Sequence, residues 1–570
     1  FRRARPPRRP PAPSLPPPCA VALMGALCAS GLPLDGEGPV VRERSDRRLA
    51  AAVRRGMGPG LAARRREASG ARTRTAPVSG RYSTSRELEQ DFRLLKQVLG
   101  TGASGAVRLA EARADGRRYA VKSFKKSGLS PASRRDLRNE VELYLCLDHP
   151  HIAKLHMVYE KDDVVHLVME LMEGGELYDR LASKKRFTES AAAETVYQML
   201  LAVAYLHARS IAHRDLKPEN FCCQSQHTDI IKLIDFGLAK FWSPGTRMSE
   251  PCGSAHYVAP EVLRRSYTVQ ADVWSMGVIA HMLLTGRSVF SGTEGEVLKK
   301  IKFGSPSFSP RFAQLSSPAQ SFIQALLVQN PQGRLTASEA LDHPWIKGRH
   351  LASSSGIDTG ILGSLRAFAE ASHFRRAALS MMAWSLSAEE QMELREQFLL
   401  MDVHKRGSIT LKDLEKILQE RFHVDGKESE HLFAMLDSNG SREIEYSEFV
   451  AAALLGRERV PEDLMRRTFA RFDRDDSGAV TQDELKEVLG ASFGGMGVEE
   501  LLQAADTSGD GGVDFQEFLT AVADVPEPRG GDGRPASPAS VAGEAPRVIK
   551  KSQTVASVMP ILLGTTEIKA

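Results

Sequence analysis

The stretch HRDLKPEN at residues 213–220 decides the fold of this chain. DFG follows at residues 235–237, with its aspartate 20 residues after Asp215, and APE at residues 259–261 closes the segment. Two aspartates, a lysine and an asparagine therefore fall within a short length of chain, in an order that ordinary surface loops have no reason to keep. The segment is the natural starting point for locating a chemical site.

A glycine-rich stretch lies upstream, LGTGASGAV at residues 99–107, between strand-like runs at 92–99 and 106–111. Glycine lets the backbone fold closely over phosphate groups. The spacing G-x-G-x-x-G is weak on its own, because turns often collect glycine. It is followed, however, by YAVK at residues 119–122, which places Lys122 on a further strand-like run. Glu140 lies 18 residues later on a helical run, where a salt bridge to Lys122 is expected.

Taken in this order, the stretches match the protein-kinase signature at each key position, and a chance match has a probability under about one per cent. Residues 92–346 resemble a eukaryotic protein kinase of the calmodulin-dependent class, and HPHI at 149–152 and GGEL at 174–177 add to the resemblance. Short strand-like runs up to residue 170 precede long helical periods at 191–209, 271–285 and 319–329. The expected fold class is therefore an α+β bilobal protein kinase domain.

The resemblance implies a Ser/Thr kinase that uses ATP and Mg²⁺, and it implies roles for individual residues. Asp215 would accept or orient the substrate hydroxyl, and Lys217 would steady the γ-phosphate. Asn220 and Asp235 would bind Mg²⁺, and Lys122 would hold the α- and β-phosphates. The residues implied to contact or position the nucleotide are Leu99, Gly100, Gly102, Gly105, Val107, Ala120, Lys122, Glu140, Glu170 and Met172.

The resemblance also bears on substrate choice and activation. Glu176 and Glu219 match positions where basophilic kinases bind an arginine three residues before the acceptor, so an Arg-x-x-Ser/Thr preference is expected; the alternative is a solvated surface acid at each position. Arg214 is expected to pair with a negative charge in the segment that DFG opens. No threonine occupies the usual phosphorylation site, but Glu250 could supply a fixed charge and Ser249 is an alternative phosphosite. Activity without an upstream kinase is expected.

A second pattern recurs four times between residues 390 and 524: helix, acidic twelve-residue loop, helix. An EF-hand loop needs oxygen ligands at positions 1, 3, 5, 7 and 12 and glycine at position 6. The third and fourth loops meet this pattern and carry an apolar residue at position 8. The predicted Ca²⁺ ligands, with backbone carbonyls at position 7, are Asp473, Asp475, Ser477, Ala479 and Glu484 in the third loop and Asp506, Ser508, Asp510, Gly512 and Glu517 in the fourth.

The first two loops depart from the pattern. In the second, Arg442 replaces the glycine, which strains a left-handed turn and adds a cation, so Ca²⁺ binding there is left open. The first loop has His404 and Arg406 at positions 3 and 5 and ends in Asp413 instead of glutamate, so it is expected to be structural and to pair with the second. The candidate ligands of the second loop are Asp437, Asn439, Ser441, Glu443 and Glu448.

A kinase followed by four EF-hands resembles the calcium-dependent protein kinase family, in which a calmodulin-like domain is built into the chain. The resemblance covers roughly residues 90–524 and implies an all-α EF-hand domain at 391–524, a junction at 350–390 and no need for separate calmodulin. Protein substrates are the expected partners, and nucleic acid is not. Two rival interpretations remain: a non-catalytic calcium scaffold, against which the intact kinase motifs argue, and a constitutive kinase whose EF-hands are only structural.

The junction combines apolar and basic residues, and this composition suits two roles. It could block the kinase cleft as a pseudosubstrate, or it could be the helix that a Ca²⁺-opened EF-hand groove captures; an ordinary packing helix is the alternative. The expected switch uses both roles, with occlusion of the cleft before Ca²⁺ binds and capture by the EF-hands afterwards. The residues concerned are Leu365, Phe368, Phe374, Leu379 and Met382 as anchors and Arg366, His373, Arg375 and Arg376 as basic residues.

Composition sets the remaining limits. The 570 residues are 42% hydrophobic and 26% charged, ordinary for a globular protein. Six cysteines without a C-x-x-C pair argue against a disulfide framework and against a zinc site. A reducing, cytoplasmic location fits best. The net charge of +5 conceals an asymmetry, because residues 1–80 hold 16 arginines and only five acids.

Both ends of the chain read as disordered arms, a basic one at residues 1–85 and a tail at 525–570. A start at Met24 would expose Gly25 to myristoylation and Cys28 to palmitoylation, which would anchor the protein to a membrane. A cleaved targeting peptide is the second interpretation, because an Arg-rich stretch precedes a short apolar run. The third interpretation is that the arm carries neither acyl groups nor a targeting peptide.

Overall fold

The computed structural model describes residues 79–102, 105–349, 356–387, 389–456 and 460–523. The predictions for residues 1–78 and 524–570, including acylation at Gly25 and Cys28, lie outside the described residues. Within the described ranges, no helix has the length and apolar character needed to cross a membrane.

The first part of the structure is a six-stranded sheet with one long helix against it. Strand order is β1-β5-β6-β4-β3-β2, antiparallel except for the parallel pair β1–β5. The hydrophobic runs predicted as strands fall on β2, β3, β4 and β6. The elements are β1 (Tyr82–Ser83), α1 (Leu88–Asp91), β2 (Phe92–Gly102), β3 (Gly105–Ala112), β4 (Arg118–Lys125), α2 (Pro131–Leu145), β5 (Leu155–Lys161) and β6 (Val164–Glu170).

The second part is helical and encloses the larger share of the kinase core. Two helices, α4 and α6, are apolar nearly all round and lie in its interior, as such a pattern requires. The elements are α3 (Leu177–Lys184), α4 (Glu189–Ala208), β7 (Ile211–Ala212), β8 (Phe221–Cys223), β9 (Ile231–Leu233), β10 (Lys240–Phe241), α5 (Pro260–Leu263), α6 (Gln270–Thr285), α7 (Glu294–Phe303), α8 (Ser317–Leu326), α9 (Ala337–Leu341) and α10 (Pro344–Lys347).

Two junction helices and four EF-hands share a second hydrophobic core. The short strands of the third and fourth EF-hand loops pair with each other, and a single bridge joins Ile409 and Ile444 of the first two loops. The elements are α11 (Ile361–Glu370), α12 (His373–Ser385), α13 (Met392–Met401), α14 (Leu411–Phe422), α15 (Gly426–Leu436), α16 (Tyr446–Ala453), α17 (Glu462–Phe472), β11 (Ala479–Thr481), α18 (Gln482–Leu489), β12 (Ser492–Phe493), β13 (Met496–Gly497), α19 (Val498–Ala505), β14 (Gly512–Asp514) and α20 (Phe515–Ala523).

Residues 79–86 differ from the expectation of disorder up to residue 85. They form a single 3-10 turn, Ser79–Arg81, followed by β1, and only 3% of the Arg81 surface is exposed. The Arg81 guanidinium donates to the carbonyls of Leu145 and Leu155 and stacks on the Trp384 ring at 4.2 Å. Local composition favours a disordered segment, but these long-range contacts order it.

The kinase-like and EF-hand parts touch directly. The Lys154 ammonium donates to the Ala383 carbonyl at 3.2 Å, and the Ser447 backbone N–H donates to the Asp148 carboxylate at 2.8 Å. Burial of Lys154 at this contact lowers its pKa to about 8. The interface therefore carries buried polar groups that are paired across the two parts.

Candidate functional site

The glycine-rich stretch is the hairpin between β2 and β3. Gly100 pairs with Val107 and Gly102 pairs with Gly105, which brings the two ends of the stretch together. Gly105 has φ of 123°, a conformation open in practice only to glycine. Leu99 is 40% exposed at the same hairpin. The hairpin is thus built to approach a ligand with bare backbone, and its tip, residues 103–104, lies outside the described ranges.

Strand β4 carries Lys122 and pairs with β6, the last strand of the sheet along the chain. Ala120 pairs with Met169 of β6, and Lys122 pairs with Leu167. Met172 follows β6 by two residues and is half-buried. The Glu170 carboxylate is bound by Lys232 at 2.7 Å, so only the backbone of Glu170 is left to meet a nucleotide.

Lys122, Glu140 and Asp235 come together from three separate elements. The Lys122 ammonium lies 2.9 Å from the Glu140 carboxylate and 3.1 Å from the Asp235 carboxylate. Burial opposes the charged form of Asp235, but Lys122 and the Gly237 N–H hold the pKa of this carboxyl below its usual value. The salt bridge expected between Lys122 and Glu140 is present. It holds the Lys122 ammonium beside the Asp235 carboxylate.

A second cluster surrounds Asp215. The Lys217 ammonium donates to one Asp215 oxygen at 2.8 Å, and the Ser254 hydroxyl donates to the other at 2.7 Å. The Asn220 side-chain amide donates to the Asp215 backbone carbonyl at 2.8 Å, which fixes Asn220 beside the same loop. Two hydrogen bonds therefore orient this carboxylate, as a group positioned to accept a proton requires.

The loop that carries Asp215 is held by a buried carboxylate, that of Asp272. The Asp272 carboxylate of α6 accepts the backbone N–H of His213 at 2.9 Å and that of Arg214 at 2.8 Å. Arg214 has φ of 71°, a strained value for a residue with a side chain. The sequence motif did not reveal Asp272 or Ser254, because both act through contacts distant in sequence.

Arg214 reaches the activation segment, residues 235–261 from DFG to APE, as expected. Its guanidinium lies 3.0 Å from the Glu250 carboxylate, which the Lys240 ammonium also contacts at 2.9 Å. The hydrogen bond from Lys240 is the largest effect on the pKa of Glu250; with that from Arg214 it outweighs burial and lowers this pKa. Glu250 thus places a carboxylate between two cations, a position that would also suit a phosphate.

Glu219 and Glu176 lie near each other at the edge of the Asp215 cluster. Burial raises the pKa of both carboxyl groups, and repulsion from Asp179 and then from Glu219 adds to the shift for Glu176. A pair of partly buried acids favours a cationic ligand, because a guanidinium relieves both effects.

The third EF-hand loop gathers its acids around one point. Asp473, Asp475 and Glu484 each place an oxygen within 4.8 Å of the other two, the geometry of a cation site. The Asp473 oxygens also accept the N–H groups of Ser477 and Gly478 at 3.0 Å. Carboxylate, hydroxyl and carbonyl oxygens are the donors that Ca²⁺ prefers, so the residues fit this ion.

The fourth loop holds its end ligands by backbone contacts. Asp506 accepts the N–H of Gly511 at 2.9 Å, and Glu517 accepts the N–H of Asp514 at 3.0 Å. Backbone hydrogen bonds to Glu517, first from Asp514 and then from Ser508, lower the pKa of this carboxyl to about 2. Asp510 accepts the Gly512 N–H at 3.0 Å, while Ser508 faces Asp506. The donor set again fits Ca²⁺.

Comparisons with known proteins place these two regions. The protein kinase domain model matches residues 94–346, and the EF-hand domain pair model matches residues 391–454 and 462–523. Calcium-dependent protein kinase 34 of Arabidopsis thaliana is 35% identical over 452 residues, 78% of this chain and 86% of the relative. Calcium-dependent protein kinase 9 of Oryza sativa subsp. japonica is 37% identical over 439 residues, 75% of this chain and 76% of the relative.

The chain belongs to the calcium-dependent protein kinase family. It is a calcium-dependent Ser/Thr protein kinase with EF-hand regulation, an activity that uses ATP, a metal ion and Ca²⁺. The resemblance drawn from the motifs, the bilobal fold class with an all-helical EF-hand region and the assignment as an enzyme are confirmed. The individual ligands and the domain boundaries predicted from sequence stay predictions.

The second loop of this calcium-dependent protein kinase has the predicted irregularity. Arg442 has φ of 65°, and its N–H donates to Asp437 at 2.7 Å. Asn439 accepts the Ser441 N–H at 2.8 Å, and Glu448 accepts from the Ser438 hydroxyl at 2.7 Å. The carbonyl of Glu443, the remaining candidate ligand, accepts the Ser441 hydroxyl at 2.7 Å.

The first loop replaces ligands with internal pairs. His404 lies 2.5 Å from Asp413, whose side chain is completely buried. The Asp402 carboxylate accepts the N–H groups of Arg406 at 2.9 Å and Gly407 at 2.6 Å. The bridge between Ile409 and Ile444 joins this loop to the second, as expected for a structural partner.

The junction lies in the EF-hand core of this kinase. All five predicted apolar anchors, Leu365, Phe368, Phe374, Leu379 and Met382, are at most 3% exposed and belong to that core. Arg366 pairs with Glu428 at 2.6 Å, and Phe374 packs edge-on against Phe518 at 6.0 Å. The junction helices therefore pack as part of the EF-hand core.

Proposed function

We propose that this kinase transfers the γ-phosphate of Mg-ATP to serine or threonine in Arg-x-x-Ser/Thr sequences, and that Ca²⁺ at its own EF-hands releases it from autoinhibition by the junction. The observation that carries the proposal is the assembled pair of clusters around Lys122 and Asp215, found together with a junction enclosed by EF-hands. Mg-ATP supplies the transferable phosphoryl group and neutralises its charge.

The chain's own residues position the reactants and hold the proton. Lys122, fixed by Glu140, binds phosphate oxygens, and Asn220 and Asp235 hold Mg²⁺. Asp215 orients the substrate hydroxyl and accepts its proton, while Lys217 lies beside the same carboxylate to offset negative charge. These steps suit phosphoryl transfer, in which positioning and charge stabilisation supply most of the catalysis.

Autoinhibition follows from the two environments open to the junction. Its apolar face is suited to the EF-hand groove, and its basic residues are suited to the acidic pair Glu176 and Glu219. Ca²⁺ shifts the balance only by binding the captured state more tightly than the occluded one. The third and fourth loops, which carry full ligand sets, supply that difference.

The first experiment measures phosphate transfer by the full chain to an Arg-x-x-Ser peptide, with Ca²⁺ and with a chelator, without added calmodulin. Strong activity only with Ca²⁺ is expected. Equal activity in both conditions would remove the autoinhibitory switch and keep the kinase. The double substitution Glu484→Gln with Glu517→Gln is expected to abolish the response, since it removes the bidentate ligands.

Substrate preference is tested at the acidic pair. The double substitution Glu176→Gln with Glu219→Gln is expected to raise KM for the Arg-x-x-Ser peptide by about tenfold, because two charge-assisted contacts become neutral. Glu173→Gln, a nearby exposed acid, is the control and should leave KM unchanged. Equal KM values for peptides with and without the arginine would contradict the proposed preference.

The N-terminal arm is the part of the chain through which the kinase would associate with a membrane. Acylation of Gly25 and Cys28 would anchor an otherwise cytoplasmic kinase by two chains. Mass spectrometry of the native N-terminus tests it, and an unmodified or absent Gly25 terminus would contradict it.

A further inference from the structure

The first EF-hand loop lies directly against the helical part of the kinase. Gly407, at position 6 of the loop, has φ of 73°. A Cβ built there would meet the Tyr205 ring and lie 2.5 Å from His149 Cδ2, closer than real Cβ contacts come. Tyr205 belongs to α4, and both rings are buried. Glycine at this position therefore serves close approach to the kinase as well as the turn of the loop.

The loop keeps this shape without a complete set of calcium ligands. His404, at position 3, is paired with Asp413, at position 12, so a side-chain nitrogen contacts the residue that would close a calcium site. Asp402, at position 1, accepts two backbone N–H groups of the loop. The contacts that an ion would otherwise organise are thus made within the chain itself.

Polar contacts surround the glycine contact and match in charge. Lys405 of the first loop lies 3.4 Å from the Asp342 carboxylate of the kinase. On the second loop of the pair, the Glu445 carboxylate lies 3.7 Å from the Arg209 guanidinium, and both groups are largely buried. Each side contributes one cation and one anion, which favours a single register of docking.

We propose that the first EF-hand loop has exchanged calcium binding for docking, and that its loop face is the surface by which the EF-hand domain holds the kinase in its calcium-activated state. The partner of this surface is the α4 region of the same chain, with His149 and Asp342. The inference rests on the proposed calcium activation for its effect on activity, but the docking contact itself can be measured separately.

The test compares Gly407→Ala with Gly440→Ala in the full chain. Gly440 has φ of 67° in the second loop, and a Cβ there meets no atom within 4 Å. Both substitutions impose the same backbone strain, but only the first pushes against the kinase. We expect calcium-stimulated activity to fall about tenfold in Gly407→Ala and by less than about twofold in Gly440→Ala. Calorimetry should find the same number of bound Ca²⁺ ions in both.

A zero-length carbodiimide cross-link reports docking without reference to activity. In the wild type with Ca²⁺, Lys405 should couple to Asp342, and coupling of Lys347 to Asp342, 3.2 Å apart within the kinase, gives an internal reference. The ratio of the two products, measured by mass spectrometry, should fall in Gly407→Ala and stay constant in Gly440→Ala.

Three results would overturn the inference. The first is equal activity in the two glycine variants, and the second is a loss of activity with an unchanged cross-link ratio, since the loss would then arise elsewhere. The third is no Lys405–Asp342 product in the wild type. A wild type that is cross-linked but unresponsive to Ca²⁺ would instead contradict the proposed switch and leave the docking surface in place.

Discussion

At the scale of single residues, charge placement decides whether the active geometry needs a modification. Arg214 and Lys240 converge on Glu250, and the Tyr267 hydroxyl donates to the Glu250 carbonyl at 2.7 Å. A carboxylate in this position ties the Asp215 loop to the activation segment without a modification. A phosphate would do so only after an upstream kinase had acted.

We expect Glu250→Gln to lower calcium-stimulated kcat by about fivefold to tenfold, because the amide leaves two cations without an anion. Ser249→Ala is the matched control and should retain wild-type kcat, and phosphatase treatment of the wild type should not reduce it. The measurement is steady-state phosphate transfer at saturating ATP. Dependence of activity on Ser249 would show that a phosphate, and not Glu250, supplies the charge.

At the scale of elements, the four EF-hand loops share a backbone path but differ in what holds it. The third loop turns at Gly478, with φ of 89°, whereas the second turns at Arg442, with φ of 65°. A residue with a side chain costs about 1–2 kcal/mol in this region, and the arginine adds a positive charge beside the ligands. Both effects oppose Ca²⁺ in the second loop.

Arg442→Gly is therefore expected to strengthen Ca²⁺ binding at the second loop by about tenfold or more, through relief of strain and loss of a cation. Calorimetric titration should resolve this as a tighter or additional site. Asp476→Gly is the control, because Asp476 also has a positive φ of 60° but lies in the third loop at a non-ligand position. An unchanged titration for Arg442→Gly would mean that another feature limits the second loop.

At the scale of the whole molecule, a short segment before the kinase domain joins three parts. Arg81 is bound to carbonyls at the ends of α2 and β5, and its guanidinium covers Trp384 at the end of the junction. The Gly80 carbonyl accepts from Arg474 of the third EF-hand loop at 3.1 Å. Burial lowers the pKa of Arg81 to about 10, so it remains charged at neutral pH.

Arg81→Ala should weaken the docked arrangement by about 2 kcal/mol, since a buried charged donor is lost. Because this free energy is divided between two bound calcium ions, at about 1 kcal/mol each, the Ca²⁺ concentration for half-maximal activity should rise by about fivefold. Arg93→Ala, which breaks an exposed ion pair in the same sheet, should shift it little. Calcium titrations of kinase activity compare the two, and equal shifts would exclude a special role for Arg81.

Much of this architecture could be predicted from sequence because local spacing carries it. The DFG and HRD stretches, the lysine on its strand and the ligand positions of the EF-hand loops are fixed by neighbours along the chain. One helical period ended early, since α8 stops at Leu326 where residue 329 was expected. The ordered segment at residues 79–86 was not predicted, because its composition resembles that of a disordered arm.

The sequence by itself determined the family, the chemistry and the loops with complete ligand sets, because these depend on residue type at short fixed intervals. Only the tertiary structure decided what Asp272, Ser254, Gly407 and Arg81 do. Each of these residues acts across a long sequence separation, on a partner that no local pattern identifies. Their roles appear only when packing brings the kinase, the junction and the EF-hands into contact, since burial and charge pairing are properties of that assembled interior.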